Sequence, residues 1–239
     1  MEETVYVKII GLGGIGSIVS ESISRFLNYV QGLNRHPRII LIDGDKFETK
    51  NHERQIFLIE GENKAETKEK ELLNKFKEVF FAAQPVFVND SNVSKLIQEK
   101  DIVMLCVDNH KTRKVVSDYC SKLNTITLIS GGNELEEGNV QIFVKKGGEK
   151  ITPSLTDYHK ELEDPVDKSP DEMSCEELSK SEPQLYFTNL MAASYMCTAF
   201  YNVWKGRLDF SEIYFDNVTM KADSKVRKVK ESKNVTSKL

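Results

Sequence analysis

The chain has no Cys-x-x-Cys pair, no long apolar run and no excess of positive charge. Each absence removes a class of protein. The four cysteines, Cys106, Cys120, Cys175 and Cys197, are widely spaced, which excludes a zinc knuckle and gives no disulfide framework. A reducing, cytoplasmic setting is expected and no structural zinc. No apolar stretch approaches the roughly 20 residues that span a bilayer, so no membrane association is expected. The N-terminus is acidic and runs straight into a strand pattern, which is not the pattern of a signal peptide. Lys and Arg number 33 against 37 Asp and Glu, a formal charge of -4, which argues against a dedicated nucleic-acid binder.

What is present starts with a core. A hydrophobic fraction of 39% over 239 residues supports one large domain, read as residues 1–221 and followed by a mobile basic tail at 222–239. Apolar runs at 5–10, 38–43, 102–107 and 125–130 read as buried strands, and Pro85–Val88 as a short one. Helical spacing of apolar residues predicts helices over 17–31, Lys64–Ala82, Asn92–Glu99, 110–122 and Tyr186–Lys205. The last of these is dense enough in apolar residues to predict deep burial. Strands that alternate with helices and are continuously apolar predict an α/β fold. The expectation is a Rossmann-like, mainly parallel sheet with helices on both faces. Alternating Val140, Ile142 and Val144 predict a later strand, and the stretch from Ile213 to Ala222 a terminal one. Residues 151–182 are polar and acidic without an apolar period, and read as a long crossover loop or flexible lid.

Chemistry enters at Gly11-Leu12-Gly13-Gly14-Ile15-Gly16-Ser17, between the first strand and the first helix. Such a loop turns backbone N–H groups and a helix N-terminus toward phosphate oxygens. Gly11 allows the tight turn, Gly13 close approach of a ligand, and Gly16 close packing of helix on strand. Asp43 ends the second strand, where a carboxylate commonly holds ribose hydroxyls. Asp45 reads equally as a second ribose contact or a solvated turn residue.

Further along the same edge lie Asn51, Arg54 and Gln55, then Lys64 at a helix start, then Asp108 and Asn109 after the fourth strand. Arg54 has the planar fork that clamps phosphate oxygens, and Lys64 is a point charge for the same task. Asp108 is the type of lone carboxylate that suits Mg²⁺ together with substrate phosphates. Singly, each has an ordinary explanation: a surface arginine, a helix-face lysine, an N-cap. Together on one edge they favour phosphate chemistry over hydride transfer.

In this order the motifs resemble those of the ThiF/MoeB/HesA superfamily, the ATP-dependent activating enzymes of ubiquitin-like proteins. The matching residues are Gly11 to Ser17, Asp43 and Asp45, Asn51, Arg54 and Gln55, Lys64, and Asp108, Asn109, Thr112 and Arg113. Ser130-Gly131-Gly132 and Gly138-Asn139-Val140-Gln141 are also similar to the family, and the likeness is strong over roughly residues 5–145. It implies adenylation of the C-terminal glycine of a small ubiquitin-like or sulfur-carrier protein, with ATP and Mg²⁺. Gly11, Gly13, Gly14, Gly16, Asp43, Asp45, Asn51, Gln55 and Asn109 would bind the nucleotide. Arg54 and Lys64 would neutralise phosphates, and Asp108 would hold the metal. It also implies a homodimer.

Some relatives pass the acyl group to a cysteine as a thioester. Cys175, in a polar segment, is the candidate here, with an incidental exposed thiol as the alternative. Its acidic neighbours Asp171, Glu172, Glu176 and Glu177 would lower the thiolate fraction. Two departures from the family are expected: no counterpart of the N-terminal arginine that many relatives lend to a neighbouring subunit, and no zinc-binding cysteine pairs. Two other readings stay open. A non-catalytic subunit could dock a ubiquitin-like partner. An NAD-dependent oxidoreductase fits the glycine loop and Asp43 but leaves Arg54, Lys64 and Asp108 unexplained.

Overall fold

The computed structural model describes residues 4–30, 37–52, 55, 60–168, 170–172 and 185–230. In chain order the elements are β1 (Tyr6–Ile10), α1 (Gly14–Tyr29), β2 (Arg38–Ile42), α2 (Lys64–Lys75), β3 (Phe80–Gln84), α3 (Val93–Leu96), β4 (Ile102–Leu105) and α4 (His110–Lys122). There follow β5 (Ile126–Asn133), β6 (Glu137–Lys146), β7 (Glu149–Lys150), α5 (Lys160–Glu163), α6 (Tyr186–Trp204), β8 (Glu212–Asp216) and β9 (Lys221–Lys225). Short 3₁₀ turns lie at Thr49–Asn51, Leu155–Asp157 and Pro170–Glu172.

Among the described residues one sheet runs in the order β3-β2-β1-β4-β5-β6-β8-β9, with β7 paired to β6. β3 to β5 pair in parallel, as the buried apolar runs predict. β6, β8 and β9 continue the sheet antiparallel. The chain order reverses between β1 and β4, which opens a crevice at the carboxyl ends of those strands.

Both faces are covered. α1, α2 and α6 bury Val19, Ile23, Leu72, Ala192 and Met196 against Ile9, Leu41, Met104 and Ile129. α3, α4 and the segment from Leu155 to Leu162 bury Val93, Val116, Leu155 and Leu162 against Ile10, Ile42, Leu105 and Leu128. Strands sandwiched this way have no polar face, which is why their sequences do not alternate. Each buried Leu or Ile side chain contributes about 1.5–3 kcal/mol.

The structure corrects several boundaries. The helix expected over Lys64–Ala82 ends at Lys75. Phe76 turns extended (φ −126°, ψ 114°) and buries its ring in the core, and Phe80–Gln84 join β2 in register from Arg38 to Ile42. The third strand is therefore this one and not Pro85–Val88. A Lys/Glu-rich helical pattern ran on in sequence into two β-forming phenylalanines, and strand pairing prevailed. The expected terminal strand is a hairpin: Asp216 Oδ1 accepts the N–H groups of Val218 (2.8 Å) and Thr219 (2.9 Å), folding the chain back as β9. Asp223–Lys225, assigned by sequence to the tail, lie in that strand. α6 is not deeply buried all round. It packs one face through Asn189, Ala193 and Phe200, while Phe187 is 63% exposed.

Candidate nucleotide site

The crevice is built from the end of β1. Gly11 has φ +85°, and a β-carbon there would sit 3.0 Å from the Cys106 carbonyl carbon and oxygen. At Gly16 a β-carbon would fall 1.8 Å from the Gly11 carbonyl oxygen. At Gly14 it would meet Asn189 Nδ2 of α6 at 2.2 Å. These three glycines are fixed by packing. Gly13 differs: its nearest neighbour would be Gln55 Nε2 at 3.6 Å, an ordinary contact. The loop is therefore closed on its protein side and accessible at Gly13.

Asp43 hangs the loop from the second strand. Its Oδ2 accepts the Leu12 N–H at 2.6 Å and its Oδ1 the Asp45 N–H at 2.8 Å. Burial pushes this carboxyl above the ordinary aspartate range, opposed by the nearby Lys64 charge and the two N–H donors. Asp45 accepts from Lys64 Nζ at 2.5 Å and so neutralises a lysine 5% exposed. Lys64 N–H also donates to the Asp45 carbonyl.

Asn63 was missed in sequence. Its Oδ1 caps α2 by accepting from Ala65 and Glu66 N–H, and its Nδ2 donates to the carbonyls of Asp43 (2.9 Å) and Asp45 (3.1 Å). An asparagine just before a helix with Glu66 in its first turn is a capping signal that could have found it.

Asn51 is buried in a 3₁₀ turn, its Oδ1 accepting from Glu48 N–H at 3.1 Å and its carbonyl from Gln55 N–H at 2.9 Å. This directs Gln55, 4% exposed, toward Gly13. Gln55 Oε1 is buried and has no hydrogen-bond partner among the described residues. Arg54 and Cys175 lie outside the described residues.

On the far side of β1, Asp108 follows β4 and is exposed. Asn109, not Asp108, caps α4, accepting from Thr112 N–H at 2.8 Å. Arg113, 7% exposed, donates to the Val107 carbonyl from Nε (3.1 Å) and Nη2 (2.8 Å), and to the Gly131 carbonyl from Nη2 (2.8 Å). Burial lowers its pKa, which the neighbouring Asp108 charge opposes. The structure thus places Gly11–Gly16, Asp43, Asp45, Lys64, Asn51 and Gln55 around β1 and β2, with Asp108 and Asn109 across the switch point. A cavity of about 870 Å³ opens beside the loop, between α1 and α2, lined among others by Ser17, Thr67, Lys68 and Tyr186.

Among the described residues no group of three or more His, Cys, Asp or Glu side chains gathers to hold a metal, and no helix is long and apolar enough to cross a membrane. Asp108 alone fits a hard cation only where phosphate oxygens supply most ligands. Cys106, Cys120 and Cys197 are free thiols whose pKa burial raises, for Cys120 to about 12 and for Cys197 to about 11.

Residues 3–238 match the model of the ThiF family. The chain is 28% identical over 156 residues to ubiquitin-like modifier-activating enzyme 5 of Gallus gallus, covering 59% of this chain and 37% of that protein. It is 28% identical over 145 residues to adenylyltransferase and sulfurtransferase MOCS3 of Drosophila ananassae, covering 59% and 30%. The chain thus spans about a third of the length of these relatives. Among solved structures, E. coli MccB with ATP superposes at a TM-score of 0.71 and 20% identity, covering 94% of this chain and 64% of that one, a likeness of fold.

Proposed function

The chain belongs to the ThiF family, and from that premise we propose that it adenylates the C-terminal carboxylate of a small ubiquitin-like or sulfur-carrier protein ending in glycine. One observation carries the reading: a glycine loop fixed by packing at three positions but accessible at Gly13, beside Gln55, whose buried Oε1 has no donor among the described residues. A ligand that accepts from loop N–H groups and offers its own donor to Gln55 satisfies both, and a nucleotide has both kinds of group.

In this reading ATP is the substrate. The partner's carboxylate oxygen attacks the α-phosphorus, a C–O–P anhydride forms, the bond from the α-phosphorus to the bridging oxygen breaks, and pyrophosphate leaves. Two anions must meet, so donors and cations carry the barrier reduction. The loop N–H groups and Gln55 bind and orient. Asp43 keeps the loop in register through Leu12. Lys64 supplies positive charge from a position that Asp45 holds, and Arg54 adds a second cation. A Mg²⁺ ion held by Asp108 and the phosphates would act as a Lewis acid when bound.

A second step follows in the same scheme. The thiolate of Cys175 attacks the acyl carbon, a thioester forms and AMP departs, the thiol proton going to solvent. The chain acts as a homodimer in the cytoplasm.

The test is ATP–pyrophosphate exchange with a panel of small proteins ending in glycine. Asp108→Ala and Arg54→Ala are expected to abolish exchange while circular dichroism is unchanged; full exchange in either variant overturns the mechanism. Calorimetry with ATP and Mg²⁺ against NADH separates this reading from an oxidoreductase. Binding of the partner without exchange would point to a docking subunit.

A further inference from the structure

The segment after β7 is fastened to two elements far apart in sequence, α4 and β8. At its start, Leu155 and Leu162 enter the core beneath α4, and His159 is held between Glu161 (2.8 Å) and Glu212 (2.9 Å). Beyond Leu162 the chain passes Val166, 100% exposed, to Asp167. There Oδ2 of Asp167 accepts the His110 N–H at 2.6 Å and Oδ1 the Lys111 N–H at 3.1 Å. Lys111 Nζ then pairs with Glu172 at 2.5 Å.

These contacts fall on the turn that carries Asp108. Residues 107–113 are fixed in three ways: Arg113 grips the Val107 carbonyl, Asn109 caps Thr112, and Asp167 takes the first two N–H groups of α4. The first two are local. The third comes from 57 residues away. A negative charge there also complements the helix dipole, so the contact is favourable in charge as well as geometry. Without it, two N–H donors of the first turn would lack these partners, and residues 107–113 would depend on the two local contacts of Asn109 and Arg113.

Resting on the adenylation reading, we propose that Asp167 is a positioning residue: by clamping the first turn of α4 it fixes the direction of Asp108 at the crevice and couples the crossover to the phosphate site. It touches no substrate itself. The coupling runs both ways: a partner that engages the crossover adjusts Asp108, and an occupied crevice tightens the crossover.

The experiment compares the full chain with Asp167→Ala and Asp167→Asn. Amide hydrogen exchange at His110 and Lys111 is expected to rise by about fivefold or more in Asp167→Ala, the scale of a lost helix cap. The exchange-reaction kcat should fall by about tenfold with the KM for ATP changed by less than about twofold, the signature of a displaced group rather than lost binding. Asp167→Asn keeps an acceptor and should recover most of both. Unchanged amide protection in Asp167→Ala overturns the proposal, and so does raised amide exchange with an unaltered kcat. Loss confined to the variant speaks to Asp167. Absence of activity in the unaltered chain overturns the adenylation reading, and the positioning role with it.

Discussion

The ammonium of Lys64 lies 2.5 Å from Oδ2 of Asp45, one end of the pair 7% exposed and the other 43%. The lysine is thus held at the rim of the crevice by a carboxylate that water still reaches. Solvent screening makes such a pair worth about 0–1 kcal/mol. Asp45→Ala is therefore expected to cost little stability and to disorder Lys64, raising the KM for ATP severalfold. Lys64→Ala should remove pyrophosphate exchange by about a hundredfold or more, as loss of an electrostatic stabiliser does. Thermal melts and exchange kinetics on both variants check this. Equal activity in Lys64→Ala and the unaltered chain would remove lysine from the scheme.

Two glycines of the same loop, Gly13 and Gly16, should respond in opposite ways. At Gly16 a methyl group meets the Gly11 carbonyl at 1.8 Å, and backbone rather than a flexible side chain must yield. Gly16→Ala is expected to cost several kcal/mol, of order 1–3 or above as overpacking does, and to lower the melting temperature sharply. At Gly13 the same methyl makes only a 3.6 Å contact with Gln55. Gly13→Ala should melt within a few degrees of the unaltered chain yet lose nucleotide affinity, because the methyl projects where a phosphate would approach. Calorimetric titration with ATP beside a thermal melt distinguishes the two.

Much of this architecture is legible from periodicity. β1, β2, β4 and β5 are continuous apolar runs, and the glycine loop marks the join of β1 to α1. β3 was displaced because a helical Lys/Glu pattern runs up to Phe80 without a breaker, and pairing with β2 is a long-range choice. The hairpin of β8 and β9 depends on Asp216 accepting two backbone N–H groups, a turn in which Met220 adopts φ 54°. A methionine gives no glycine-like signal there. In the site, residue types on the sheet edge were readable, but their partners were not. Asp167 meets α4 from 57 positions away, and His159 meets Glu212 from 53. Nothing local in either stretch encodes those meetings.

The thiols provide a third test. Burial holds Cys106, Cys120 and Cys197 mainly as protonated thiols, the second of them wholly within the core. Alkylation of the native chain at neutral pH is expected to spare these three and, by elimination, to modify Cys175, read out by peptide mass spectrometry. If Cys175 receives the acyl group, a thioester that an added thiol cleaves by acyl exchange should form with ATP and the partner, and vanish in Cys175→Ala. A thioester that persists in that variant ends the second step, whereas adenylation would stand.

The last prediction concerns acidity. His159 is 9% exposed, with Nδ1 at 2.8 Å from Glu161 and Nε2 at 2.9 Å from Glu212. Only an imidazolium donates to both carboxylates at once. Burial opposes that charge, but the two carboxylates outweigh it and His159 titrates above its ordinary range. Glu212 is pulled down to about 2; burial works against this, and the bonds from His159, Arg227 and Tyr214 prevail. The signs follow by linkage. The histidine, raised on folding, contributes fully below about 6.5 and loses its contribution as pH climbs through the elevated folded value. The glutamate, depressed on folding, contributes above about 4.3 and loses it as pH falls toward the folded value. The cluster therefore stabilises most between these limits. It joins the crossover to β8 and to Arg227, so its loss should loosen that end of the chain first. Melting temperature measured from pH 4 to 9 should fall more steeply on the alkaline side for the unaltered chain than for His159→Gln, and limited proteolysis should show earlier cleavage near Tyr158 as pH rises. Parallel alkaline slopes in the two proteins would mean that His159 carries no such linkage.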